Sequence, residues 1–87
     1  MKRVEVLITN KVGLHARPAS EFSKTASKFK SEIIIEHKNK HLNAKSILNI
    51  LSAGIQSGST ISIIADGEDE EKAIDNLAEL VNSNFGE

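Results

Sequence analysis

Cysteine is absent from the 87 residues, and with it go disulfide frameworks, thiolate zinc sites and thiol redox chemistry. Aromatic residues are nearly absent too: three phenylalanines, no tryptophan and no tyrosine. That leaves no platform on which nucleic-acid bases could stack. Neither sign of charge dominates, because 11 Lys and Arg face 12 Asp and Glu. A basic footprint is missing, and no nucleic-acid partner is expected. No long apolar run occurs either. Met1-Lys2-Arg3-Val4-Glu5 opens with two basic residues, but Glu5, Thr9, Asn10 and Lys11 interrupt the apolar positions early. The pattern speaks against a membrane span or signal peptide and predicts a soluble, cytoplasmic chain. Length sets a further limit. One domain over residues 1–87 buries about 60–65% of its unfolded surface and leaves no room for a deep pocket. Such a chain is expected to act at its surface, through partners.

The apolar residues that are present follow two periods. Val4, Val6 and Ile8 alternate with Arg3, Glu5, Leu7 and Thr9, the period of a strand with one buried face. Asn10-Lys11-Val12-Gly13 breaks that alternation. Ala19, Phe22, Ala26 and Phe29 then recur at helical spacing, which predicts an amphipathic helix from Ala16 to Lys30 with Pro18 in its first turn. Ile33-Ile34-Ile35 reads as a strand, and His37-Lys38-Asn39-Lys40-His41 as a hairpin turn into a short strand around Leu42. Ser46 before Ile47, Leu48, Ile50 and Leu51, with Gly54 beyond, frames a short capped helix. Thr60 to Ala65 alternates again, Gly67 marks a turn, and Asp69, Glu70 and Glu71 open a last helix near its positive end. Ala73, Ile74, Leu77, Ala78 and Val81 form that helix's buried stripe. The order β-α-β-β-α-β-α predicts an α+β fold: an antiparallel four-stranded sheet with three helices on one face and solvent on the other.

One stretch carries chemistry: Gly13-Leu14-His15-Ala16-Arg17-Pro18. His15 falls just before a helix whose first backbone N–H groups have no intrahelical partner, and such an end attracts anions. Arg17 adds a permanent cation with fork geometry for phosphate oxygens. A neutral imidazole nitrogen is a competent nucleophile toward phosphorus. Spacing alone leaves a plainer alternative open, in which His15 is an ordinary capping or surface residue, Arg17 a solvated cation, and Gly13 and Pro18 purely structural.

Asn10-Lys11-Val12-Gly13-Leu14-His15-Ala16-Arg17-Pro18-Ala19 is similar to the active-site signature of the HPr family of histidine-phosphorylated carriers. The likeness continues through Thr25-Ala26-Ser27-Lys28-Phe29, Asn43-Ala44-Lys45-Ser46-Ile47, Gly58 and Gly67-Glu68-Asp69-Glu70-Glu71, covering nearly the whole chain. The resemblance implies an open-faced β-sandwich and a carrier rather than an enzyme, with no cofactor. His15 matches the family's phosphorylated histidine and Arg17 its phosphate-stabilising arginine, with Ala16 beside it at the helix start. Enzyme I is the implied donor and sugar-specific EIIA domains the implied acceptors, for a monomeric carrier. Ser46 resembles the serine that a regulatory HPr kinase/phosphorylase modifies in many members. Ser20, Lys24, Ile47, Leu48 and Leu51 fall on the family's shared docking face.

The chain departs from the commonest Gram-positive pattern at Leu48 and Leu51, where methionine is frequent, and at Asn49, where glycine is frequent. Docking onto a transcriptional regulator, implied for some members, loses methionine's adaptability. Asn10-Lys11 and the ending Asn82-Ser83-Asn84-Phe85-Gly86 point faintly to the family's nitrogen-related branch. Two further readings stay open: a regulatory or nitrogen-branch paralogue, and a small interaction module without phosphoryl transfer. His37 and His41 flank the hairpin without the cysteines or carboxylate pattern of a metal site. Asp66, Glu68, Asp69, Glu70 and Glu71 lack the ligand spacing of a calcium loop.

Overall fold

The computed structural model describes residues 1–86. Its elements follow the expected order: β1 (Lys2–Leu7), α1 (Ala16–Ser27), β2 (Glu32–His37), β3 (Lys40–Asn43), α2 (Ile47–Ser52), β4 (Thr60–Asp66) and α3 (Glu70–Asn82), closed by a 3₁₀ turn at Asn84–Gly86. The four strands form one antiparallel sheet in the order β1-β4-β2-β3. Register explains why one face is dry. Val4 lies opposite Ile63, Ile63 opposite Ile35, and Ile35 opposite Leu42, so an apolar row crosses all four strands. One residue along, Glu5, Ser62, Glu36 and His41 form the corresponding row on the solvated face. Side chains alternate between faces with a period of two, so each row keeps its character across the sheet.

The helices cover the apolar face, giving an open-faced β-sandwich. Phe22, Ala19 and Ala26 of α1, Ile50 of α2, and Ala73, Leu77 and Val81 of α3 join Ile33, Ile35, Ile61 and Ile63 in the core. Glycine or proline does not stop α1, and it is shorter than its periodicity suggests. It ends at Ser27 rather than Lys30 because the N–H groups of Lys28 and Phe29 tighten onto Thr25 O and Ala26 O, both at 3.2 Å. The Asp69 carboxylate then takes the N–H groups of Lys30 (2.8 Å) and Ser31 (2.9 Å). Asp69 sits at the N-cap position of α3 but makes no cap bond with its side chain. It fastens the α1–β2 loop instead. The Ser31 hydroxyl, then the Lys30 and Ser31 amides, hold its carboxyl down at about 2.

The hairpin is also tighter than the sequence suggests. The turn is only Lys38-Asn39, both with positive φ, and His37 pairs directly with Lys40. This is the primed geometry whose twist suits two-residue hairpins. His37 and His41 therefore lie on strands rather than within a turn, and point to opposite faces of the sheet. Burial, then the charges of Lys38 and Lys40, pushes His37 below the usual histidine value. His41 instead meets Glu36 at 2.8 Å, and Arg3 reaches Glu36 from the far side. Hydrogen bonds from His41 and Arg3 lower the Glu36 carboxyl.

Candidate functional site

Three backbone anchors deliver His15 to the surface. Where β1 ends, Ile8 N–H donates to Ser59 O at 2.8 Å and Gly58 N–H returns to Ile8 O at 2.7 Å. The loop then closes on itself. Asn10, only 3% exposed, donates from Nδ2 to Gly13 O at 2.8 Å, and Gly13 N–H donates to Asn10 O at 3.3 Å. Next, the buried Leu14 donates its N–H to Ile55 O at 2.9 Å. Gly13 is required twice over. Its φ is +67°, and an added Cβ would stand 2.5 Å from Ile55 O and 2.8 Å from Gln56 Cα. A side chain there would push directly on backbone.

His15 itself is exposed and occupies the N-cap position of α1, with extended backbone and no side-chain cap bond. Its carbonyl accepts the first helical bond, from Ala19 N–H at 2.8 Å. Pro18 has no N–H to offer, so the amides of Ala16 and Arg17 are those that precede the helical ladder. The Arg17 guanidinium donates to Phe85 O at 3.5 Å. Phe85 is buried despite φ of +57°, and the Thr9 hydroxyl donates to Asn84 Oδ1 at 2.6 Å beside it. The 3₁₀ turn after α3 is thereby seated next to the α1 start.

A shallow open cleft of about 220 Å³ runs from His15 past Val12 and Gln56 to Leu51 at the far end of α2. This joins the histidine to the second helix. That helix buries Ile50 completely while Leu48 is 72% exposed, Leu51 38% and Ile47 36%. Val12, 51% exposed, extends the apolar surface toward His15. The Ser23 hydroxyl donates to Lys45 O at 3.0 Å and ties α1 to the residues leading into α2. Ser46 caps α2: its Oγ accepts from the Asn49 N–H at 3.3 Å and from Asn49 Nδ2 at 3.2 Å. Ser46 stands at the start of α2, and Leu51, near its end, reaches the His15 cleft. Ser20, half-buried, and Lys24, exposed, follow Ala16 one and two turns along α1. Among the described residues, no group of three or more His, Cys, Asp or Glu is arranged to hold a metal ion.

Sequence reasoning did not single out Asn10 or Phe85 for the site. Asparagine before a glycine-containing loop is a recognisable turn signal. Nothing local announces that Phe85 folds back toward Arg17, 68 residues away in the chain.

A family model for the PTS HPr component phosphorylation site matches residues 2–83. The chain belongs to the HPr family. Phosphocarrier protein HPr of Mycoplasma capricolum is 50% identical over 74 residues, 85% of this chain and 83% of that protein. The HPr-like protein Crh of Halalkalibacterium halodurans is 48% identical over 80 residues, 92% of this chain and 93% of that protein. Among solved structures, HPr from Thermoanaerobacter tengcongensis superposes with a TM-score of 0.97 at 53% identity, covering 100% of this chain and 98% of that one. An HPr dimer from the same organism gives a TM-score of 0.80 at 53% identity, with full coverage of both chains. The fold expected from the order of elements, and the membership of a phosphocarrier family expected from the likeness around His15 and along the chain, therefore stand.

Proposed function

We propose that His15 accepts a phosphoryl group from phosphorylated enzyme I and passes it to sugar-specific EIIA domains. One observation carries this reading. His15 is exposed at the start of α1, makes no cap bond, and shares a cleft with the partly exposed apolar helix α2. A ring nitrogen of His15 attacks phosphorus, the donor's own bond to phosphorus breaks, and the transfer reverses in form with the acceptor. The amides of Ala16 and Arg17 and the Arg17 guanidinium balance the charge of the phosphohistidine. No cofactor enters, and the 87 residues act as one domain and as a cytoplasmic monomer. Ile47, Leu48 and Leu51, flanked by Ser20 and Lys24, form the partner-docking face. An apolar patch with a polar margin suits a surface that must meet several proteins in turn.

Ser46 is a regulatory site in this reading, modified by an HPr kinase/phosphorylase. Phosphate there adds about two negative charges beside the docking helix and alters which partners, including a transcriptional regulator, can bind. The similarity to Crh favours a second reading, a paralogue acting through Ser46 alone. The presence of His15 supports the carrier reading over it.

Intact mass after incubation with phosphoenolpyruvate and enzyme I tests the proposal. One added phosphoryl group, labile in acid and absent from His15→Ala, is the expected result. An unlabelled wild type beside a labelled control carrier would move the interaction-module and Crh-like readings to the front. Light scattering on the same samples checks the monomer.

A further inference from the structure

One residue holds the Ser46 hydroxyl oxygen twice. Both the backbone N–H and the side-chain Nδ2 of Asn49 donate to Oγ, at 3.3 and 3.2 Å. A serine oxygen has two lone pairs, and both are engaged. The backbone bond is the helix cap. The side-chain bond is additional, and it exists only because residue 49 carries an amide. Ser46 does not need it to stay in place. Its own N–H donates to Asn43 O at 3.0 Å, and its carbonyl accepts from Ile50 N–H at 3.2 Å.

We propose that Asn49 is a positioning residue that restrains modification of Ser46, an inference that rests on the reading of Ser46 as a phosphorylation site. In the transfer, an Oγ lone pair attacks the γ-phosphorus of a nucleoside triphosphate. The Oγ–P bond forms, the bond from phosphorus to the nucleoside diphosphate breaks, and the hydroxyl proton passes to a base of the kinase. One lone pair has to be released first. The backbone bond is locked into the first turn of α2, whereas the Asn49 side chain is exposed and can swing away. Attack therefore waits on loss of one solvent-accessible hydrogen bond. Such a bond contributes about 1 kcal/mol, or roughly fivefold in rate. A residue without a side-chain donor at this position removes the restraint and keeps the cap.

The test uses the full chain, MgATP and a purified HPr kinase/phosphorylase, with that kinase's own HPr as positive control and Ser46→Ala as blank. Asn49→Ala removes the amide, and Asn49→Leu replaces it with similar bulk and no donor. Both sit at an exposed position, and far-UV circular dichroism verifies that they fold. Each is expected to raise kcat for Ser46 phosphorylation about fivefold with KM unchanged. Wild type and variants labelled at equal rates would overturn the restraint and leave the Ser46 reading standing. A rise for Ala but not for Leu would assign the effect to bulk and overturn it as well. No label on any of the three, beside a labelled control, would remove the Ser46 reading and this inference together.

Discussion

Replacing Gly13 by alanine tests how the loop before His15 is held, and Gly54 supplies an internal control. Both residues have left-handed backbone, with φ of +67° and +61°. A Cβ in that region costs an L-residue about 1 kcal/mol wherever it occurs. The surroundings differ. A Cβ on Gly54 has no atom within 4 Å, whereas one on Gly13 would stand 2.5 Å from Ile55 O, 2.8 Å from Gln56 Cα and 2.8 Å from Ser57 N. All three are backbone, so no side chain can rotate aside. The segment around Ile55 must retreat, which strains the Leu14–Ile55 bond of 2.9 Å. Overpacking of this kind adds about 1–3 kcal/mol. Gly13→Ala is thus expected to lose about 2–4 kcal/mol and Gly54→Ala about 1 kcal/mol. Urea melts followed by circular dichroism separate the two by about 0.5–3 M in midpoint, given slopes near 1–2 kcal/mol per M for a chain of this size. Equal midpoints would refute the steric argument, since the left-handed cost alone is shared.

Three further outcomes follow from the same geometry. Asp69→Asn should destabilise the fold in a pH-dependent way. The native carboxyl, held at about 2, lies below its ordinary value of 3.8, so its contribution is present above that ordinary value and is lost as pH falls through about 2. Melts of both proteins at neutral pH and near pH 2 check this, and a gap that does not narrow in acid would contradict the Asp69–Ser31 account. Ser46→Ala should cost about 1 kcal/mol through loss of the α2 cap, read as a lower melting temperature, and Ser46→Asp should recover part of it. Leu48→Glu should leave stability within about 0.5 kcal/mol, because Leu48 is 72% exposed. Under the proposed function it should also raise KM toward enzyme I, and a marked fall in melting temperature would instead place Leu48 in the core.

Much of the fold was legible because the signals that carry it are local. The alternation of Val4 and Val6, of Ile61, Ile63 and Ala65, and the helical spacing of Ala73, Leu77 and Val81 each lie within one element, and each faces the core, with Val4 alone only partly buried. The cap at Ser46 was readable for the same reason, since donor and acceptor are three residues apart. So was the position of His15 at a helix start, where Pro18 and the broken alternation before Gly13 mark the boundary. What tertiary structure decided lies far apart in the chain. The order β1-β4-β2-β3 depends on pairing across long separations. The α1–β2 loop is fastened by Asp69, 39 residues beyond Lys30, and the close approach at Gly13 is set by Ile55 and Gln56. The hydrophobic pattern of α2 makes Ile47, Leu48, Ile50 and Leu51 all apolar, and packing against α1 and β3 is what buries Ile50 completely. Periodicity reports which face of an element is apolar, because that depends on neighbours in sequence. Which partner covers that face, and which backbone leaves no room for a side chain, depends on atoms that meet only when the chain has folded.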